Sequence, residues 1–260
     1  MGESIAFLQF HLEALFRQSP LVQLIVFTVN GLIFFAIGMA FLRVFNRRPT
    51  PSAWTPVGPY FSAVSVIFAL FLAFHASDIW SNKNQAERAY ADAGSAIHQL
   101  YDLSSPEELN LPEVRNALRT YVHFVFRDEW RKSRNRSPSD RATNAFHDLQ
   151  LQVLQANRTV PAPIAAQLNK LFNDIARSRA EQLWIGGNPI ETTSWLAVWL
   201  LGLLTHLSVA AVHFDKPKAG AVALALVALA TVVAFWSLGI VDDPYRFSDE
   251  LNPGNWLPGS

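Results

Sequence analysis

The sequence predicts an all-α integral membrane protein with four transmembrane helices and a helical extramembrane domain between the second and the third. Of its 260 residues, 50% are hydrophobic and only 16% are charged, whereas about a quarter of the residues in an average soluble domain are charged. About 20 helical residues cross the hydrocarbon core of a bilayer. Four apolar runs of roughly that length contain no Lys, Arg or Asp: Leu21–Leu42, Val57–Ala76, Thr192–Val212 and Ala219–Val241. This distribution excludes a soluble enzyme.

The charge balance and the cysteine content exclude further classes of protein. The 21 basic and 21 acidic side chains give a formal net charge of +0, so the basic footprint of a nucleic-acid-binding protein is missing. With no cysteine in the chain, disulfides and cysteine metal sites are excluded. Glu3 and Glu13 precede Arg17, where a cleavable signal peptide would begin with basic residues, so we expect no such peptide.

The four apolar runs divide the chain into five predicted parts. The segment Ser81–Ile185 holds 14 of the 21 basic and 12 of the 21 acidic residues, so we assign it to an aqueous environment. The predicted parts are an N-terminal tail at 1–20, transmembrane helices 1 and 2 at 21–80, a helical extramembrane domain at 81–187, transmembrane helices 3 and 4 at 188–241, and a C-terminal tail at 242–260.

Helical periodicity extends through the first half of the extramembrane domain. Apolar residues recur at helical spacing from Ala86 to Tyr101 and again from Val114 to Phe126, which predicts two amphipathic helices. No Gly or Pro lies between Tyr60 and Gly94. We therefore expect the second transmembrane helix to continue without a break into the first of these two helices.

Two more helices are predicted in the second half of the domain. The charged run RKSRNRSPSDR is expected to form a loop that ends in a helix start at Ser139 and Asp140. Pro161 and Pro163 interrupt the apolar pattern before a fourth helix, expected over Ile164–Leu183. We find no pattern typical of a strand.

The sequence contains no local motif for catalysis or cofactor binding. The seven histidines are scattered singly, with no HExxH and no pair at i, i+4. Phosphate-binding and nucleophile-elbow motifs are also missing. The adjacent carboxylates Asp128-Glu129 and Asp242-Asp243 would point about 100° apart on a helix, so we interpret them as solvated charges. We expect no enzyme, no metal and no cofactor.

Several polar and aromatic residues near the membrane have two interpretations each. His75 and Asp78 lie three residues apart, and they either form a polar ring at a pore mouth or mark the headgroup level. His206 lies in the middle of an apolar run, where it is either a functional group or a neutral histidine that bonds across helices. An aromatic belt is indicated by tryptophans near the predicted membrane ends: Trp54, Trp80, Trp184, Trp195 and Trp236.

The second transmembrane helix also offers an apolar stripe. Val66, Leu70 and Phe74 recur every four residues and so share one helix face. They would line an apolar constriction, and such a ring can gate a pore by dewetting. The alternative is that the stripe faces lipid or neighbouring helices. The predicted pore-lining set is Val66, Leu70, Phe74, His75 and Asp78.

The stretch Leu72-Ala73-Phe74-His75, followed by Trp80, ends the second apolar run. It resembles the Leu-Ala-Phe-Arg stretch and the following aromatic pair of bacterial bestrophins, with His75 where they have Arg. The chain is more similar to a bacterial bestrophin-like membrane family of uncharacterised function. The residues that carry this resemblance are Ala73-Phe74, Trp80, Ala86-Glu87, Asp92-Ala93, Leu100-Tyr101, Tyr121, Glu129-Trp130, Arg177 with Arg179, and Asp242-Asp243-Pro244-Tyr245.

The resemblance implies a multi-pass protein of the bacterial inner (plasma) membrane, with a homo-oligomer, a pentamer, around an axial path lined by the second helix. Inorganic anions are the implied permeating partners, and the lipid bilayer is the other partner. The leading hypothesis is therefore an oligomeric anion channel. The alternative is a membrane-anchored signalling or scaffolding protein that conducts nothing.

Two arguments about membrane orientation conflict. The short loops between the transmembrane helices carry Arg43, Arg47, Arg48, Lys216 and Lys218, and the positive-inside rule places such loops in the cytoplasm. The large domain would then lie outside. The resemblance to bestrophins implies instead that this domain is cytoplasmic.

Overall fold

The computed structural model describes residues 18–46, 58–188, 192–246 and 249–257. Within these ranges every regular element is a helix and no strand is present. The elements are α1 (Pro20–Asn46), α2 (Gly58–Leu103), α3 (Pro112–Phe124), a π-helical segment (Val125–Ser133), α4 (Asp140–Ala156), α5 (Ala162–Gly187), α6 (Thr192–Val212), α7 (Pro217–Val241) and two short 3-10 helices (Asp249–Leu251 and Pro253–Asn255).

Four of these helices are long and apolar enough to cross a membrane, which confirms the predicted fold class for the described part of the chain. They span Pro20–Val44, Phe61–Leu103, Thr193–Val212 and Pro217–Val241. Each contains most of one predicted apolar run, although Val57 lies outside the described residues. The run without Gly or Pro behaves as predicted: α2 continues unbroken for 46 residues, a length of about 69 Å.

The chain forms two compact units. The first comprises Met1–Trp80 and Ile190–Asp242, and the second comprises Ser81–Pro189 and Asp243–Ser260. The first unit therefore contains α1, the amino-terminal half of α2, α6 and α7. The second unit contains the rest of α2, α3 to α5 and the C-terminal segment.

The first unit is held together by aromatic packing and by close helix approach. The ring of Phe27 lies against those of Trp195 and Phe235, at centroid distances of 6.3 and 6.2 Å. A Cβ atom at Gly31 would lie 2.3 Å from Cγ2 of Val232, so only glycine permits this approach of α1 to α7. Small residues of this kind let membrane helices gain dispersion energy, since lipid offers no hydrophobic driving force between helices.

The second unit has an amphipathic helical core. Leu118 of α3, Leu149 of α4 and Leu168 of α5 are fully buried, and the rings of Phe146 and Phe172 stack at 4.9 Å. These residues follow the helical apolar periodicity of their segments. The core therefore forms where the apolar faces of these amphipathic helices pack against one another.

The C-terminal segment packs onto the second unit. Tyr245, Leu251 and Trp256 are buried, and the hydroxyl of Tyr90 donates a hydrogen bond to the carbonyl of Asn252 at 2.9 Å. The sequence indicated only a tail here. The aromatic residues of this segment indicate that it could pack against other parts of the chain. The surface that they cover cannot be predicted, because its residues are distant from the segment in sequence.

Two local predictions differ from the structure. The charged run was expected to be a loop, but its first three residues belong to the π-helical segment, which ends at Ser133. Arg134 and Asn135 follow with φ values of 53° and 58° and so leave the right-handed helical conformation. Helix α5 begins at Ala162 rather than at Ile164, because the first turn of a helix accepts proline.

Candidate functional site

Three of the predicted pore-lining residues share an exposed face of α2. Val66, Leu70 and Phe74 are 56%, 51% and 65% exposed in the single chain. Residues four apart are rotated by only about 40°, so the three form a slowly drifting stripe. The opposite face packs into the first unit, where Leu72 contacts the core and Ile79 is buried.

Helix α2 is the least covered of the four apolar helices within its own chain. Within the most apolar stretch of α2, 11% of the residues are buried, whereas 39% are buried in the corresponding stretches of α6 and of α7. The described residues of one chain thus leave most of this apolar surface open. Its surroundings in the membrane are therefore lipid, another chain or a dewetted pore.

His75 and Asp78 differ in exposure. His75 is 2% exposed, its Nδ1 lies 2.8 Å from Oγ of Ser194, and its ring packs edge-on against Trp195 at 4.5 Å. Asp78 is exposed. The structure therefore places Val66, Leu70, Phe74 and Asp78 at exposed positions of α2, whereas His75 is buried.

The polar contacts of Trp195 correct two sequence interpretations. Trp195 was assigned to an aromatic belt, but it is buried, and its indole N–H donates to Oδ1 of Asp242 at 3.3 Å. Asp242 was interpreted as solvated and is also buried. Trp80 and Trp184 are exposed as a belt requires, whereas Trp54 lies outside the described residues.

The one hydrogen bond that the His206 ring makes with described residues lies within its own helix. It is fully buried, and its Nδ1 lies 2.7 Å from the carbonyl of Gly202 one turn earlier. Its ring packs edge-on against Phe34 of α1 at 5.2 Å. The hydrogen bond thus lies within α6, and the contact across helices is aromatic.

The second unit contains a buried ion pair between Glu129 and Arg179. Glu129 was interpreted as solvated, but it is 1% exposed and accepts from Nη2 and Nε of Arg179 at 2.5 and 3.3 Å. The backbone N–H of Ser139 donates to the same carboxylate at 3.0 Å, and Arg179 also donates to Thr143 at 3.0 Å. No local signal pairs Glu129 with Arg179, because 50 residues separate them.

The described residues offer no metal cluster. No group of three or more His, Asp or Glu side chains among them is placed to hold a metal ion. In the first unit, one ring nitrogen of His75 and one of His206 have hydrogen-bond partners, and Asp242 accepts from Trp195.

These observations define a four-span helical membrane protein with a helical extramembrane unit. The family profile described as the Bestrophin-like domain matches residues 29–247. The chain therefore belongs to the bestrophin-like family. No curated protein matches the chain.

Solved structures share the fold at low sequence identity. A crystal structure of a bacterial bestrophin homologue from Klebsiella pneumoniae, with one tryptophan replaced by alanine, has a TM-score of 0.69 at 14% identity, covering 92% of this chain and 94% of that one. A variant of the Klebsiella pneumoniae homologue with one aspartate replaced by alanine gives 0.67 at 11% identity, covering 89% and 94%. A third variant, with one isoleucine replaced by threonine, gives 0.67 at 13% identity, covering 87% and 92%. At this identity the likeness concerns the fold.

Proposed function

We propose that the chain assembles into a homo-oligomeric, anion-conducting channel of the inner membrane, with α2 lining its axial path. The chain belongs to the bestrophin-like family, and the bestrophin family includes ion channels. The observation that carries the proposal is the exposed apolar stripe of α2, on Val66, Leu70 and Phe74.

Rotational symmetry turns this stripe into a constriction. Repeated around an axis, Phe74 gives a ring of large apolar side chains, with Leu70 and Val66 forming further rings about one turn apart along the helix. An apolar ring excludes water when it is narrow, so its conductance depends steeply on radius. His75 does not line the path in this arrangement; it holds α2 against α6 through Ser194.

Asp78 is the remaining predicted pore residue. It is exposed one turn beyond Phe74 and would form an acidic ring at the mouth of the path. Acidic rings favour cations, so Asp78 reduces the anion preference that we propose. Asp78→Asn should therefore shift the reversal potential toward that of a more anion-selective channel, measured in bilayers under a salt gradient.

The test compares two phenylalanines of α2. Phe74→Ala should raise the current of purified protein in planar lipid bilayers, because the apolar ring becomes wider. Phe71→Ala is the comparison variant: Phe71 is also exposed, but it lies at the edge of the stripe, about 100° around the helix from Leu70 and about 60° from Phe74. Its truncation should raise the current less than Phe74→Ala does. The mass of the detergent-solubilised particle should be that of an oligomer.

Three outcomes would contradict the proposal. A monomeric particle has too few helices to enclose a path. Phe74→Ala particles that dissociate, or that carry no more current than the parent, would place Phe74 between packed helices. Intact oligomers that carry no current in bilayers would favour the alternative, a membrane-anchored signalling or scaffolding protein.

A further inference from the structure

Two arginines and a tyrosine form a cationic cluster in the second unit, apart from the α2 stripe. Arg115 and Arg119 lie four residues apart on α3 and so share a face. Their guanidinium carbons are 4.0 and 5.2 Å from the ring centre of Tyr101, in the last turn of α2. Nη2 of Arg119 also donates a hydrogen bond to the Tyr101 hydroxyl.

The positive charge of this cluster is not compensated. In the described part of the chain, neither arginine has a carboxylate oxygen within 4.0 Å. Asp102, next to Tyr101, lies 2.9 Å from Nδ1 of His98 instead. The carboxyl end of α2 contributes only about half of one negative charge, and like charges four residues apart on a helix repel.

Hydrogen-bonding capacity is also left over. Nε of Arg115 is buried and has no hydrogen-bond partner in the structure, which is costly for a charged donor. The Tyr101 hydroxyl accepts from Arg119, and among the described residues no acceptor receives its own proton. Stacking on Tyr101 explains why the arginines lie here. It does not explain why two guanidinium groups share one place where the only acceptor among the described residues is the Tyr101 hydroxyl.

We propose that Arg115, Arg119 and Tyr101 form a binding site for a phosphate-type oxyanion. A guanidinium group binds such an anion through two parallel N–H···O bonds, and the Tyr101 hydroxyl adds a further donor. A monatomic halide offers no separate acceptor atoms to match this set. The site does not depend on conduction, because none of its three residues belongs to the α2 stripe.

The experiment titrates inorganic phosphate into the detergent-solubilised full chain by isothermal titration calorimetry. We expect saturable binding of one phosphate per chain, with chloride at equal ionic strength failing to displace it. Arg119→Gln should weaken phosphate binding by about tenfold or more, since a hydrogen bond to a charged group is lost. Tyr101→Phe should also weaken it, while the ring that stacks on Arg115 stays in place.

Arg127→Gln is the matched control. Arg127 belongs to the same unit and lies outside the cluster, so its replacement removes the same charge and should leave phosphate affinity unchanged. The proposal is overturned if the parent shows no saturable phosphate binding, or if chloride competes equally. It is also overturned if Arg127→Gln weakens binding as much as Arg119→Gln, or if Tyr101→Phe folds normally and binds as tightly as the parent.

Discussion

Glu129 and Arg179 form a buried pair in which both groups are hydrogen-bonded. Breaking such a pair by removing one charge costs about 3–5 kcal/mol, because the other charge stays buried without compensation. We therefore expect Glu129→Gln to lower the free energy of unfolding by about that amount. The measurement is denaturant unfolding of the purified protein, followed by far-UV circular dichroism.

Asp174 and Arg177 provide the control for this prediction. They form an ion pair at 3.0 Å on α5, the helix that also carries Arg179, but Arg177 is exposed. Exposed pairs contribute little, so Asp174→Asn should change the free energy of unfolding by less than about 1 kcal/mol. If Asp174→Asn and Glu129→Gln lowered the free energy of unfolding equally, burial would not determine the strength of the Glu129–Arg179 pair.

Two buried tyrosines make the second unit sensitive to alkali. Burial raises the pKa of Tyr121, and burial together with the charges of Glu181 and Asp243 raises the pKa of Tyr245. The unfolded chain therefore ionises first. The raised pKa values contribute to the free energy of unfolding. This contribution is fully present below the unfolded pKa of about 10 and is lost as the pH rises above it.

Tyr121→Phe tests this alkaline sensitivity, because it removes one of the two ionisable groups and keeps the ring. The melting temperature of the parent should fall as the pH rises through about 10, the unfolded pKa, and that of Tyr121→Phe should fall less steeply. If the two slopes coincide, ionisation of Tyr121 does not contribute to alkaline unfolding.

The length of α2 leads to a prediction about continuity. Ser77 lies inside this 46-residue helix and is exposed. Proline at this position removes a backbone hydrogen bond and collides with the preceding turn, at a cost of about 3 kcal/mol or more. We expect Ser77→Pro to lower the melting temperature and to weaken oligomer assembly, measured by light scattering of the detergent particle.

Ser77→Ala separates the backbone effect from the loss of the side chain. Alanine keeps the helical hydrogen bonds and has the highest helix propensity, so assembly and melting temperature should match those of the parent. If Ser77→Pro also matched the parent, an unbroken α2 would not be needed for the folded assembly.

Two opposing arguments predict the orientation of the whole chain in the membrane. The positive-inside count predicts that the second unit is extracytoplasmic, and the bestrophin resemblance predicts the opposite. With four spans, the residues after α7 lie on the same side as the connection between α2 and α6. A reporter that is active only outside the cytoplasm, fused after Ser260, should therefore be active if the charge count decides. An inactive reporter at normal protein levels would favour the resemblance.

The features that depend on local chemistry can be predicted from the sequence. Runs without charge gave the four apolar helices, and the absence of Gly and Pro from Tyr60 to Gly94 gave the unbroken α2. The amphipathic pattern gave α3 to α5 within a few residues. Each of these properties depends on hydrogen bonds and side chains within a few turns of helix. Neighbouring residues are therefore enough to predict it.

Which polar groups are buried, and what they contact, depends on how the helices pack. His75 meets Ser194 across 119 residues of chain, and Trp195 meets Asp242 across 47. The ion pair of Glu129 joins helical segments 50 residues apart. A charged residue next to another charged residue has the sequence pattern of a solvated surface. It becomes a buried partner only when helix packing brings a guanidinium group to it, and that packing depends on the whole set of helix faces rather than on any one segment.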